Sequence, residues 1–315
     1  MGTSRSTRRG IFDIVRVGVV DLGGNTARLL VAELGPNGLE RVLAERVVLG
    51  LGAEIERTGR ISKAKLAATG ATVRRLCGHA DGAGCEHVEV LVTSPGRQSA
   101  NRKALERALE RALERGGRKR IRFVTADEEA CLAYAGAVAC TPTDGGVVAV
   151  CDVGGGSTEI AIGLPAASPA WCCSLDLGSL RITRRYFRHL SPRDREIEAA
   201  RSAVRDALGA LGPPRPAAIH ALASGGTARA LRKLVGARLG RDELHDALEI
   251  LRRTEPRKLA RRFDVPPWRA EVLAGGTVVL AEIQGLLSVP LMVADGGLRE
   301  GAVLRLLQHE TAAAA

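Results

Sequence analysis

Aromatic side chains are scarce: they form 3% of the 315 residues, with two Trp, two Tyr and four Phe. The core must therefore rest on Ala, Val, Leu and Ile, and few rings are on hand to stack nucleobases. Long apolar runs are also missing. The longest uncharged run, 160–175, contains two prolines, so no transmembrane helix is expected. The basic start MGTSRSTRRG lacks a signal peptide's apolar stretch, because Asp13 and Arg16 interrupt the run that follows. Met1-Gly2 with Ser6 fits a myristoylation pattern too short to decide anything, and residues 1–13 are read as a disordered basic arm. The seven cysteines (77, 85, 131, 140, 151, 172 and 173) make no regular framework, which suits reduced thiols in the cytoplasm. Cys77-x-His79 and Cys85-x-His87 do not have a standard zinc spacing.

Hydrophobic residues make up 45% and charged residues 26%, the balance of a globular protein with one large or two medium domains. The net charge of +11, from 46 Lys+Arg against 35 Asp+Glu, favours anionic partners such as nucleic acid, polyphosphate or nucleotides. With no aromatic platform and no helix-turn-helix pattern, nucleic acid ranks last among them.

The chain is organised around VVAVCDVGGGSTEIAIG at 147–163. An apolar strand ends in Asp152, followed by Gly154, Gly155 and Gly156, then Ser157, Thr158 and Glu159. Glycines let successive N–H groups approach an anion, and the hydroxyls add donors. Asp152 and Glu159 offer oxygen ligands to a hard cation. A glycine hairpin in an ordinary sheet is the alternative, but the flanking carboxylates favour a Mg-phosphate. DLGGNTARLL at 21–30 repeats the device with Asp21, Asn25 and Thr26, so the chain reads as a duplicated domain with glycine turns facing across a cleft.

Around these turns, GPNG (35–38) marks a hairpin, Ser62 caps a helix through Leu76, and 88–92 is a strand leading into TSPGR. The ALER repeat at 104–115 makes a helix with a solvated charged face. Thr125-x-x-Glu128 is a capping box opening a helix over 127–140. Later helices are expected at 179–189, 193–210, 227–235, 241–252 and 269–287, with SGGT (224–227) and DGGLREG (295–301) as further glycine turns. Gly225 and Gly226 serve either a distant phosphate or simply a tight strand–helix turn.

These residues resemble the exopolyphosphatase/guanosine pentaphosphate phosphohydrolase family, of the actin, sugar kinase and heat-shock chaperone ATPase superfamily. The resemblance runs from about residue 16 to 308 through DLGGNTARLL, LGLGAEIERTGRIS, ADEEACLAYAGA, DVGGGSTEIAIG, SLDLGSLRIT, ASGGTARAL and DGGLREG. It implies an α/β fold of two actin-like (ribonuclease H-like) domains with a cleft between them. The expected domains are 14–141, joined by a C-terminal helix at about 300–312, and 142–299, in the short form without extra C-terminal helical domains. It further implies Mg²⁺-dependent hydrolysis of a terminal phosphoryl group, with Glu129 as general base. Asp21, Asp152 and Glu159 become metal or phosphate-water ligands. Asn25, Thr26, Gly154, Gly155, Gly156, Ser157 and Thr158 become the cradle, and Arg28 and Arg97 become phosphate-facing arginines. Helix-start acids also favour the N-terminal dipole, and from the residues alone Asp127, Glu128 and Glu129 are hard to separate.

The sequence departs from the family pattern at Gly24, usually serine, and in TSPGRQSAN, where Gln98 stands for an aspartate and Pro95-Gly96 alter the turn. An exopolyphosphatase is the first reading, and a guanosine pentaphosphate phosphohydrolase the second. A kinase of the superfamily and a non-catalytic sensor of phosphate anions are the others. A homodimer is compatible with the sequence, which does not set the oligomeric state.

Overall fold

The computed structural model describes residues 15–113, 119–212 and 216–314; the expected arm at 1–13, with Gly2 and Ser6, lies outside them. The first half runs β1 (Arg16–Leu22), β2 (Thr26–Gly35), β3 (Gly38–Val48), α1 (Leu51–Thr58), α2 (Lys63–Gly82), β4 (His87–Val92), α3 (Ser94–Gln98), α4 (Arg102–Leu113), β5 (Lys119–Phe123) and α5 (Ala126–Cys140). The second runs β6 (Val148–Val153), β7 (Thr158–Gly163), β8 (Trp171–Leu175), α6 (Ser179–Tyr186), α7 (Asp194–Gly209), β9 (His220–Ser224), α8 (Gly225–Val235) and β10 (Arg238–Leu239). It ends with α9 (Arg241–Arg253), α10 (Pro256–Arg262), α11 (Pro267–Ala270), α12 (Leu273–Leu287), β11 (Leu291–Val293) and α13 (Leu298–Ala314).

The internal echo in the sequence is an echo in topology. One sheet has the order β3-β2-β1-β4-β5, the other β8-β7-β6-β9-β11 with β10 added at the edge. In each, the first strand pairs antiparallel with the second and parallel with the fourth. This is the two-sheet α/β fold expected of actin-like domains. Among the described residues no helix is long and apolar enough to cross a membrane.

Local chemistry accounts for several boundaries. The hydroxyl of Ser62 accepts from the Lys65 N–H, and the helix it caps continues past Leu76 to Gly82. The capping box forms as expected: Glu128 N–H donates to Thr125 Oγ1 at 3.2 Å and Thr125 N–H to Glu128 Oε2 at 2.8 Å. Three features differ from the sequence reading. Residues 94–98 form a short helix with Pro95 in its first turn, where proline's missing N–H costs nothing. Helix α1 was not anticipated; Gly50 and Gly59, both left-handed, bracket it. The helix expected over 269–287 is broken into α11 and α12, and α10 precedes it.

Helix α5 lies between the sheets. Leu132 and Ala133 pack with Val17, Val19 and Leu30 of the first sheet, and with Leu298, Ala302 and Val303 of α13. Ala130, Tyr134 and Ala137 pack with Val148, Val150, Ala161 and Leu222 of the second. Where α5 crosses α13 the backbones nearly touch: a Cβ on Gly136 would stand 2.0 Å from the Gly297 carbonyl oxygen and 2.4 Å from the Gly301 nitrogen. Only glycine permits that approach. The crossing fixes the first turn of α5, and with it Glu129, at the mouth between the sheets.

Candidate active site

Two hairpin turns meet across the cleft, and each is closed in the same way. Gly23 N–H donates to the Thr26 carbonyl and Gly154 N–H to the Ser157 carbonyl, both at 3.0 Å. Asp21 stands opposite Arg28 in one hairpin, and Asp152 stands opposite Glu159 at the matching place in the other. Between the turns is a cavity of about 240 Å³, lined by Asp21, Asp152, Glu129 and Ser157 among others. Asn25, Thr26, Arg28, Gly154, Gly155, Gly225 and Gly226 also face it.

The structure separates the three acids of α5. Asp127 is exposed, Glu128 is used in the cap and paired with Arg122, and Glu129 lines the cavity. Gly225 has a left-handed φ of 84°, and a Cβ there would meet Asp152 Oδ1 at 2.3 Å. That glycine keeps the turn against the carboxylate as well as facing the cavity, while Ser224 Oγ donates to Asp152 Oδ2 at 2.8 Å.

Four residues proposed from the sequence stand off the cavity. Thr158 is fully buried with its hydroxyl donating to the Leu177 carbonyl at 2.5 Å, because successive residues of a strand point to opposite faces and Ser157 takes the cleft side. Gly156 packs against the Gln98 side chain. Glu159, 2% exposed, accepts from the Ser174 hydroxyl at 2.9 Å. Arg97 sits behind Glu129: Nη1 is 2.6 Å from Glu129 Oε2, and Nη2 is 3.6 Å from Glu159 Oε1 and 3.4 Å from Ser157 Oγ. It is a counter-ion to two carboxylates rather than an open anion hook. Gln98 donates to the Gly156 carbonyl at 3.4 Å and to Asp176 Oδ1 at 3.2 Å. Its amide thus bridges the lobes where an aspartate would face Asp176 with like charge. Cys77 is buried in the first core while His79 pairs with Glu45, so the Cys/His quartet does not converge.

Besides the exposed Arg184 of α6, three further arginines of the lining went unnoticed in the sequence: Arg229 on α8, Arg269 on α11 and Arg299 on α13 join Arg28 around the cavity. Arg229 lies in ASGGTARAL and Arg299 in DGGLREG, yet in a chain with 46 basic residues a single arginine carries no signal. Burial, then repulsion from neighbouring guanidinium groups, lowers all four, with Arg269 and Arg299 brought down to about 10. They stay charged at neutral pH. Among the described residues Arg28 Nε is buried without a hydrogen-bond partner, and Arg269 donates only to the hydroxyls of Ser179 and Thr227, both at 3.3 Å. A multivalent anion would relieve this crowding of positive charge.

The carboxylates are strained in the opposite sense. Burial, followed by the Glu159 charge, raises Glu129 well above the usual range. Burial raises Asp21 to about 6, and burial with the Asp152 charge raises Glu159 to about 7. Among the described residues no three His, Cys, Asp or Glu side chains group as a metal cage. Mg²⁺ needs no such cage, since it keeps several waters and takes one or two carboxylates plus substrate phosphate. Asp21 and Asp152 suit it; Glu159, held by Ser174 and Arg97, does not.

A stability prediction follows. The folded protein binds protons on Asp21 and Glu159 that the unfolded chain has already released, so the contribution of these two groups to stability is full below the ordinary values of 3.8 and 4.5. It is lost as pH rises through about 6 and about 7. Protein in a chelator is expected to show a falling Tm across this window, with the loss reversed by Mg²⁺. A Tm that does not move with pH would contradict the buried-carboxylate account.

Comparison with known proteins now bears on the site. The sequence matches the Ppx/GppA phosphatase family over residues 30–310. The chain belongs to that family. It is 29% identical over 292 residues to exopolyphosphatase 2 of Mycobacterium tuberculosis, covering 86% of this chain and 90% of that one. It is 26% identical over 316 residues to exopolyphosphatase 1 of Mycobacterium bovis, covering 94% and 89%. Two solved structures share the fold. The Ppx/GppA family member of Aquifex aeolicus has a TM-score of 0.80 at 23% identity, covering 94% of this chain and 99% of that one. An exopolyphosphatase from Cytophaga hutchinsonii has a TM-score of 0.84 at 20% identity, covering 93% and 98%. Like the family it belongs to, the protein is a hydrolase acting on phosphoanhydride bonds.

Proposed function

We propose that the protein is a Mg²⁺-dependent exopolyphosphatase that releases terminal orthophosphate from inorganic polyphosphate by in-line attack of water. One observation supports this above the rest: a buried carboxylate and four buried guanidinium groups face the same cleft. Glu129 takes the proton from the attacking water as its oxygen bonds to the terminal phosphorus. The bridging P–O bond opposite breaks, and its electron pair leaves with the shortened chain. Arg28, Arg229, Arg269 and Arg299 hold non-bridging oxygens, and the glycine turn presents the Gly155 N–H, that of Gly154 being used to close the hairpin on the Ser157 carbonyl. Such transfer depends mainly on positioning and charge neutralisation. Asp21 and Asp152 would hold Mg²⁺, directly or through water, and the ion would supply further neutralisation of the phosphates. Glu129 serves best as a base when Arg97 steadies it without filling both its oxygens, and only Oε2 is paired with Arg97.

Removal of a 5′ phosphate from guanosine pentaphosphate is the second reading. Trp268, the one aromatic residue lining the cleft among the described residues, favours it. The deciding experiment is phosphate release from long polyphosphate, tripolyphosphate, guanosine pentaphosphate and ATP in parallel with Mg²⁺. The expected ranking puts long polyphosphate first by kcat/KM. Guanosine pentaphosphate in first place would reverse the two readings, and tight binding with no release would leave a sensor.

A further inference from the structure

Each glycine turn of the cleft is gripped from behind by the start of one helix. Gly52 N–H of α1 donates to the Gly24 carbonyl, and just before it the Leu49 and Gly50 N–H groups donate to the Asn25 carbonyl at 2.8 and 3.0 Å. In the other lobe Ser179 N–H of α6 donates to the Gly154 carbonyl at 2.9 Å. Leu180 and Arg181 N–H follow onto the Gly155 carbonyl at 3.0 and 3.2 Å. The N–H groups that a helix start leaves unpaired are thus satisfied by turn carbonyls. Helix α1 is fixed to the first turn and α6 to the second.

These two helices meet across the cleft. Arg181 Nε donates to Glu56 Oε1 at 2.7 Å, and Arg184 Nη1 donates to the Ala53 carbonyl at 2.7 Å. A Cβ on Gly52 would stand 3.4 Å from Leu180 Cδ2. Ala53, Leu180 and Arg184 line the cavity, whereas Glu56 and Arg181 stand outside its lining. A lone surface ion pair contributes little, and a network contributes more. The Arg181 side chain is only 12% exposed, and its Nη1 also lies 2.8 Å from Asp176 Oδ1. That same oxygen accepts from Gln98 Nε2 of the first lobe at 3.2 Å. The guanidinium group is therefore held from both lobes at once.

We propose that Arg181 and Glu56 are positioning residues: their ion pair sets the spacing of the two glycine turns, and through it the fit of the cleft around the phosphoryl group in transfer. The proposal rests on the reading of this cleft as the site of hydrolysis. Both side chains act through the helices that carry the turns, and neither touches the substrate. Groups that hold one phosphoryl from opposite lobes must be placed to within about 0.5 Å of each other's demands. Backbone bonds inside a lobe shape each turn but do not set a distance between lobes. The α1–α6 clasp does. Gln98 completes it, because its amide steadies the Asp176 carboxylate that shares Arg181 with Glu56.

The test is Glu56→Gln, Arg181→Gln and the double variant, with Arg181→Lys as the charge-keeping rescue. Arg57→Gln, an exposed charge change on the same helix, is the control. Phosphate release and calorimetric binding are measured with long polyphosphate and tripolyphosphate, beside Tm and amide hydrogen exchange in residues 23–26 and 154–157. Each Gln variant is expected to lower kcat by about three- to tenfold on both substrates, with KM and Kd within about twofold of wild type. Because one pair carries the effect, Glu56→Gln should cost nothing further in the Arg181→Gln background. Arg181→Lys should recover part of the loss, exchange in both turns should quicken in the Gln variants, and Arg57→Gln should match wild type throughout. Additive losses would overturn the clasp, as would a lowered Tm with unchanged kcat, or a loss confined to KM. If wild-type protein releases no phosphate, the hydrolytic reading of the site fails by itself. The clasp then stands or falls on whether exchange in the two turns quickens.

Discussion

Glu129→Gln is expected to lower kcat for phosphate release by about 10²–10⁴-fold while KM changes little, the signature of a lost proton acceptor. The substitution keeps shape and volume, and the glutamine oxygen can still accept from Arg97 Nη1, which stands 2.6 Å from Oε2 in the native protein. Polyphosphate binding, which the proposal assigns to Arg28, Arg229, Arg269 and Arg299, is expected not to change. The buried setting that raises Glu129 also makes it a stronger base than a surface carboxylate once it is ionised. Steady-state kinetics and calorimetric binding on the same preparation separate the two effects. An unchanged kcat would move the base elsewhere, and Asp127 or Glu128 would not be the replacement, since one is exposed and the other is locked in the helix cap.

Gly136→Ala is expected to do damage of a different kind. The added carbon would lie 2.0 Å from the Gly297 oxygen and 2.4 Å from the Gly301 nitrogen, and both obstacles are backbone. No side chain can swing aside, so α5 and α13 must separate. Overpacking of this sort costs about 1–3 kcal/mol or more, a Tm drop of about 5 °C. Because α5 carries Glu129, kcat should fall by at least about tenfold in protein that still folds. Gly78→Ala, at an exposed position of α2 where a Cβ meets nothing within 4 Å, is the control; it should leave stability unchanged or improve it slightly. Equal Tm values for the two variants would mean that the crossing yields more easily than its geometry implies.

Much of the fold was legible because it depends on local repetition. The two Asp-Gly turns, the capping box at Thr125 and the glycine at 225 are short-range signals, and a duplicated hairpin topology follows from the first of them. The cradle was only half legible. Ser157 and Thr158 are adjacent hydroxyls, and strand alternation allows just one of them to face the cleft; the pattern does not say which, and burial decided it. Glu159 reads as a metal ligand by its spacing from Asp152, but Ser174 on β8 and Arg97 from the other lobe claim it. Partners that arrive from distant segments leave no trace in the residue they bind. The same holds for Arg269, which reaches the cleft only because the helix expected at 269–287 is broken.

The glycine crossing makes α5 a lever. Its fulcrum is Gly136, and Glu129 lies seven residues away, about 10 Å at 1.5 Å per residue. A turn of about 3° at the fulcrum carries the carboxylate about 0.5 Å, the tolerance within which a catalytic group must be held. One face of this rod is bedded in each lobe, so any relative movement of the lobes is transmitted to the carboxylate at its tip. Any opening of the cleft would then also shift Glu129, in one mechanical event.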